Sequence, residues 1–335
     1  MEQKKNNQVT KSLLWLLLLI IAVIIPWILG SNQYSVLLVT TVLLYGVMAT
    51  LWNIIGGLAG QLDLGSFAYL GLGAFTSGTL LIRYNFTPWM GMILGGLVAA
   101  GFALLIGIPL FRFRIREVWY ALTTCALVEI LKVVFTMWEK VGGPVERYLP
   151  HYGLLYHMRF SSYIPYYYLM LGLLLIALGV NYRINKTRLG YYLKALGEDE
   201  IAAEVLGIDT RSCKLKALVC YSFLIGVTGG IYANMYGYIH PSFFDGQESI
   251  KVAILGIVGG RGITYGPLLA ALLLVGIQEF LRASIGGDVS GLYLVIYSVI
   301  LIVVVLFRPK GIATIFQDVY QRVFSRRGVE KKNVQ

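Results

Sequence analysis

The 335-residue chain is 57% hydrophobic and 13% charged, with 38 glycines and a mean hydropathy of +0.72. A soluble domain of this size does not need so much apolar sequence, so the composition excludes ordinary soluble enzymes and points to an all-α, polytopic membrane bundle. The formal charge of +11 does not mark a nucleic-acid binder, because Lys and Arg lie in short segments between apolar runs and at the two ends, where they meet anionic headgroups.

At about 20 apolar residues per crossing, candidate spans fall near 12–30, 36–55, 64–82, 89–111, 118–138, 163–182, 217–238, 250–259, 267–283 and 291–307. The first reads as a membrane helix and not a cleaved leader, since its apolar run is too long and lacks a small-residue cleavage pattern. The eighth is short enough to be a half-helix. With the N-terminus inside, the inside segments hold twenty-one Lys and Arg and the outside loops four, Arg83, Lys140, Arg147 and Arg159. That bias predicts a multi-pass membrane protein, one transmembrane domain over 1–335 with both termini cytoplasmic, a cytoplasmic loop at 183–216 and a basic tail at 308–335 without a fold of its own.

Residues 53–75, NIIGGLAGQLDLGSFAYLGLGAF, interrupt an apolar run with many glycines, most of which serve close helix packing. Gln61 and Asp63, flanked by Gly60 and Gly65, predict a broken helix lining a cavity, because irregular backbone at membrane depth needs protein or water around it. The fifth span carries Glu129 and Lys132 at i, i+3, an ionisable pair expected to face the bundle interior, either as a structural pair or in a gate or subunit contact. The outside loop 139–162 is rich in aromatics and reads as a membrane-surface cap. Further on, His240 is a loop residue, and Gly259, Gly260, Gly262 and Gly266–Pro267 form a second glycine break; one break in each half of the chain is the pattern of an inverted repeat with a pathway between.

The longest polar interval is 183–216. Within it Glu198–Ile208 predicts a short helix, with Glu198, Asp199 and Glu200 on its first turn and Gly207 at its close. At ~100° per residue, Ile201, Ala202, Val205, Leu206 and Ile208 share one side, and Glu200, Ala203, Glu204 and Gly207 the other. The small and acidic side suits close approach by another protein; an amphipathic helix on the bilayer surface is the plainer alternative.

The string KALGEDEIAAEVLGID resembles the EAA coupling segment of ABC importers in the form typical of branched-chain amino-acid permeases. Three further motifs occur in that family's order: GGLAGQLDLGSFAYLGLGAF at 56–75, which resembles the LivM-type pattern; the Tyr120, Ala121, Thr123, Glu129, Ile130 run followed by Gly142 and Gly143; and G-G-x-G-x-x-x-G-P at 259–267, with FRPKG at 307–311. Asp63 stands where serine is usual and Ser66 where histidine is usual.

The resemblance implies an importer permease for branched-chain or similar small hydrophobic amino acids. Its partners would be a second homologous permease of LivH type, two cytoplasmic ATPase subunits and an extracytoplasmic binding protein. It assigns ATPase coupling to Glu198, Asp199, Glu200, Ala202, Ala203, Glu204 and Gly207, and the pathway to Gln61, Asp63, Gly65, Ser66, Glu129, Gly259, Gly260 and Gly262. The two departures keep urea or short amides open as cargo. A stand-alone channel or secondary transporter is the rival from another class.

Catalytic chemistry is not indicated. The chain has no G-x-x-x-x-G-K-[ST] for ATP, no H-E-x-x-H and no G-x-S-x-G, so neither an enzyme nor a cofactor is expected. Its three cysteines, Cys125, Cys213 and Cys220, form no C-x-x-C and read as packing residues.

Overall fold

The computed structural model describes residue 17 and residues 19–30, 32–115, 117–150, 156–285, 291–307 and 311–314. All but four residues of the tail expected at 308–335, and the N-terminal part of the first expected span, lie outside the described residues. The order is α1 (Leu19–Leu29), α2 (Gln33–Trp52), α3 (Ser66–Tyr84), α4 (Pro88–Arg112), α5 (Glu117–Met137), strand β1 (Arg147–Tyr148), α6 (Ile164–Lys186), α7 (Arg188–Glu198), α8 (Glu200–Val205), α9 (Thr210–Tyr236), strand β2 (Tyr238–Ile239), α10 (Gly246–Gly259), α11 (Gly266–Ala270), α12 (Gly276–Ile285) and α13 (Leu292–Phe307). A π-helical turn over Asn53–Leu58 continues α2, and another over Ala271–Val275 joins α11 to α12.

Helix boundaries follow local chemistry. Asn32, Asp199, Asp209 and Asp245 each accept backbone N–H groups of the first turn of α2, α8, α9 and α10. Pro88 and Pro267 open α4 and α11, where a missing N–H costs no helical bond. Asn85 and Gly237 close α3 and α9 in left-handed conformation.

Every expected apolar run contains a helix, but only six stretches among the described residues are long and apolar enough to cross a membrane: Gln33–Leu58, Pro88–Arg112, Val118–Met137, Ile164–Lys186, Thr210–Tyr236 and Gly266–Ile285. The expectation of about ten spans is not confirmed by these six, beside which stand the shorter apolar helices Leu19–Leu29 and Leu292–Phe307. Glycine, serine and threonine dilute the 19-residue α3, while α10 has 14 residues, or ~21 Å against a hydrocarbon core of ~30 Å.

The core is a three-helix unit of α3, α4 and α9 held at backbone distance. A methyl group added at Gly226 on α9 would sit 2.8 Å from the Gly96 Cα of α4, and one at Gly95 would sit 2.7 Å from the Gly73 carbonyl oxygen of α3. Here the glycines strengthen the bundle, because apolar surroundings reward close approach. On the other side, α6 packs on α2, with Asn181 donating to the Thr50 carbonyl at 2.8 Å.

Turning points gather at two ends. At one, Arg114 pairs with Glu204 at 3.3 Å, Asn185 donates to Thr264 at 3.3 Å and Ile312 N–H donates to the Val258 carbonyl at 2.8 Å. At the other, Tyr163 N–H donates to Gln33, His157 bonds Asn85 at 2.7 Å, and β1 and β2 pair antiparallel through Arg147 opposite Ile239. The basic segments 112–115, 183–216 and 259–266 therefore share one end.

Candidate functional site

The coupling segment is built differently from the single helix expected over Glu198–Ile208. Asp199 is extended (φ −154°, ψ 110°) and its carboxylate accepts from Ile201 N–H at 2.8 Å and Ala202 N–H at 3.1 Å. An Asp at this position offers the backbone a better partner than continued helix would. Glu198 thus closes α7, and α8 begins at Glu200. Gly207, at φ +83°, closes α8 as the sequence suggested, with its N–H on the Glu204 carbonyl.

The two sides of α8 are also reversed. Ala203 is buried at 2% exposure, Glu200 meets Lys214 of α9 at 2.6 Å, and Glu204 binds Arg114 and accepts from Thr210 at 3.0 Å. Ile201, Val205 and Leu206 are instead exposed, the last two at 82% and 79%. Arg114, Lys214 and Thr210 supply what the acidic side needs, so the acidic and small side is the anchor and the apolar side is free. Leu206 borders a depression with Arg188, Tyr192, Ser212 and Lys216.

Behind α7 lies the first glycine break. Gly60 (φ +68°) abuts Gly197; a methyl group on Gly60 would lie 3.1 Å from the Gly197 Cα, and one on Gly197 would lie 2.8 Å from the Leu58 carbonyl oxygen. The π turn then passes to the second break, where Asn53 accepts from Gly262 N–H at 2.9 Å and donates to the Ile263 carbonyl at 3.3 Å. Gly259 packs on Gly266, and Gly260 (φ +112°) packs on Gly311. Two breaks far apart in sequence form one junction under the coupling segment.

The break after Leu58 is real, but Gln61 and Asp63 do not face open space in this conformation. Asp63 has 0% exposure; its Oδ1 accepts from Gly65 N–H at 2.8 Å and Tyr221 at 3.3 Å, its Oδ2 from Tyr120 at 3.1 Å, and its carbonyl from Trp52 Nε1 at 2.7 Å. Ser66, 2.7 Å from the Tyr221 hydroxyl, extends the chain. Leu64 N–H donates to Thr124 and Phe67 N–H to Ser249, so the start of α3 is satisfied by α5 and α10. Gln61 is buried at 6%, with its side-chain oxygen unpartnered.

Glu129 and Lys132 correct another expectation: they lie 3.9 Å apart on the surface of the chain, with side chains 57% and 44% exposed. Helix α5 buries one face, Tyr120, Ala121, Thr124, Val128, Leu131 and Phe135. Helical spacing puts Lys132 about a fifth and Glu129 about a third of a turn from the middle of that face, where the start of α10 comes up to Glu129 but leaves both charged ends half-exposed. Of the residues the geometry adds, Tyr120 belonged to a recognised motif and Arg114 to a basic cluster; Trp52, Asn53, Tyr221 and Lys214 carry no local signal, because only long-range packing gives them roles.

A bundle with glycine-broken helices meeting beneath a short anchored helix defines a membrane permease. The branched-chain amino acid transport system permease component family matches over residues 34–306, and the chain belongs to it. It is thus the permease component of an ABC importer, a transport subunit that works with ATPase subunits and a binding protein. It is 27% identical to the high-affinity branched-chain amino acid transport system permease protein LivM of Escherichia coli (strain K12), over 92% of this chain and 76% of that one. It is 28% identical to the nucleoside ABC transporter permease protein NupC of Lactococcus lactis subsp. cremoris (strain MG1363), over 77% and 84% of the two chains, and 25% identical to the fructose import permease protein FrcC of Rhizobium meliloti, over 83% and 80%. No solved structure matches it.

Proposed function

We propose that this chain is a LivM-type permease subunit that translocates branched-chain amino acids across a prokaryotic plasma membrane, paired with a LivH-type permease, two ATPases and an extracytoplasmic binding protein. The observation that carries the reading is α8, whose acidic side is bolted to α9 and the 112–115 turn while Ile201, Val205 and Leu206 stand exposed. In this reading the end bearing 183–216 is cytoplasmic, as are both termini. An ATPase groove takes the apolar side of α8, with Ala202 exposed beside it; Asp199, Glu200, Ala203, Glu204 and Gly207 hold the shape that is pushed, and Glu198 hinges it to α7. Displacement of α7 then moves the Gly197–Gly60 contact, and with it the segment holding Gln61, Asp63, Gly65 and Ser66 and the loop of Gly259, Gly260 and Gly262.

The cargo assignment gains from the placement of Asp63 and Ser66. Both belong to one buried hydrogen-bonded unit around Tyr221, so their departure from the family pattern reads as joint repacking and not as a changed ligand contact. Nucleoside and fructose permeases among the relatives define the second reading, the same architecture with a polar cargo.

Affinity purification of the chain from its own membranes tests the assignment. Two ATPases and a second permease are expected with the native chain, and reconstituted complex should take up leucine, isoleucine or valine with binding protein and ATP. Val205→Asp should lose the ATPases while the chain's melting temperature holds within the small range of exposed-site changes, about 0.5 kcal/mol. Recovery of the chain alone, or uptake of nucleosides or sugars in place of amino acids, would overturn the reading.

A further inference from the structure

A cavity of about 330 Å³ lies between the 112–115 turn, α8 and the first turns of α9, within the usual ~300–1,000 Å³ range of small-molecule sites. Phe111, Arg114, Glu204, Thr210, Arg211 and Lys214 line it, with Ile208 beside them. Its deep side is satisfied within the chain. Lys214 is 3% exposed, meets Glu200 at 2.6 Å and lies 5.6 Å from the centre of the Phe111 ring. Glu204 accepts from Thr210 at 3.0 Å, and Asp209 accepts from Ser212 N–H at 3.1 Å.

The open side keeps unused donors. Arg211 is exposed and has no partner among the described residues. Arg114 is 67% exposed and commits one nitrogen to Glu204, at 3.3 Å. It also follows the cap of α4 at φ +55°, a left-handed position that glycine occupies more cheaply. An arginine held there in spite of that strain brings a second guanidinium to the cavity. Two such forks suit a carboxylate, whose oxygens each accept more than one N–H. Glu204 and Asp209 face an ammonium group equally well, and Phe111 and Ile208 give a short aliphatic side chain an apolar wall. The charges of Arg114, Arg211 and Lys214 cancel those of Glu200, Glu204 and Asp209, so the lining favours a solute without net charge over a multiply charged anion.

Resting on the permease reading above, we propose that this cavity is a regulatory site for a small amino acid in its zwitterionic form, the imported product acting from the cytoplasmic end. The carboxylate bridges Arg114, after α4, to Arg211 of α9, and the ammonium meets Glu204 of α8. Helices α4 and α9 belong to the rigid three-helix unit, so bound ligand adds a third tie to the two ion pairs that hold α8 against it. A stiffer α8 passes less motion to α7, and accumulated product slows the importer.

The test uses the assembled complex in nanodiscs, where both faces are open, with ATP hydrolysis driven by binding protein already saturated with leucine. Further leucine should lower hydrolysis severalfold. Arg211→Gln, at an exposed position, should raise the half-inhibiting concentration about tenfold or more, the effect expected from losing a hydrogen bond to a charged group. Arg211→Lys, which keeps the charge without the fork, should raise it less, and Lys186→Gln, on the exposed side of α6, should leave it in place. The oxo acid α-ketoisocaproate, which has leucine's carboxylate and side chain without the ammonium, should inhibit more weakly. Hydrolysis that ignores added leucine, or one inhibition curve for native and Arg211→Gln complexes, would overturn the site; equal inhibition by the oxo acid would overturn the zwitterion. If inhibition fails while ATP-driven leucine uptake persists, the cavity is wrong and the importer reading stands. If the complex takes up no branched-chain amino acid, the importer reading falls and the site falls with it.

Discussion

Helices α9 and α5 are both apolar enough to cross a membrane, yet 61% of the most apolar stretch of α9 is buried within the chain against 33% for α5. The difference is made by glycine. Gly226, Gly229 and Gly230 let α9 meet α3 and α4 at backbone distance, whereas α5 carries no glycine and touches its neighbours by one stripe of side chains. A helix fixed on several sides serves as a frame. One fixed on a single side keeps surface for another chain and can shift without dismantling the core.

The largest expected effect breaks the frame. At Gly226 an added Cβ would lie 2.7 Å from the Ala99 Cβ and 2.8 Å from the Gly96 Cα, and backbone cannot give way as a flexible side chain can. Gly226→Leu should therefore cost roughly 3 kcal/mol or more and leave little monodisperse protein after size exclusion in detergent. A normal elution profile would show that α9 is held no more tightly than α5.

Next comes the residue joining the two helices. Asp63 accepts from Tyr221 of α9 and Tyr120 of α5, so Asp63→Leu strands the Tyr120 hydroxyl and the Gly65 N–H and leaves Tyr221 only its bond to Ser66. At about 1–3 kcal/mol per stranded group, the melting temperature should fall nearly as far as for Gly226→Leu. Asp63→Ser keeps an acceptor and should fall less. Equal losses for Leu and Ser would mean that hydrogen bonding is not what ties α5 to the frame.

Smaller again is Lys214→Met, which removes the ammonium from Glu200 at the foot of α9. Lys214 is 3% and Glu200 13% exposed, so about 2–3 kcal/mol is expected, mostly as release of α8. Leucine uptake should fall further than ATP hydrolysis in the reconstituted complex. Parallel falls would mean that α8 does not depend on its anchor.

Hydropathy and spacing made the helices, both glycine breaks and the Gly207 stop legible, because each depends on neighbours along the chain. They misjudged α8 because the partners of its acidic side, Arg114 and Lys214, come from other helices: an acidic side looks outward until a buried lysine is placed against it. The Asp63 cage was hidden for the same reason, since Tyr221 lies 158 residues away. Glu129 and Lys132 illustrate the converse error. An ionisable pair in an apolar helix must avoid lipid, but the sequence does not say whether the shelter is the same chain or another.

Glu129→Gln should therefore have the smallest effect on the chain itself. The pair is 3.9 Å apart and half-exposed, a geometry worth about 0–1 kcal/mol where water screens it. The purified chain in detergent should melt within roughly 2–4 °C of the native one. Leucine uptake by the assembled complex should fall, because Lys132 loses its counter-charge on a face that the second permease meets. A melting loss as deep as that of Lys214→Met would place the pair inside the fold, make α5 as embedded as α9, and remove the reason for a second chain on that face.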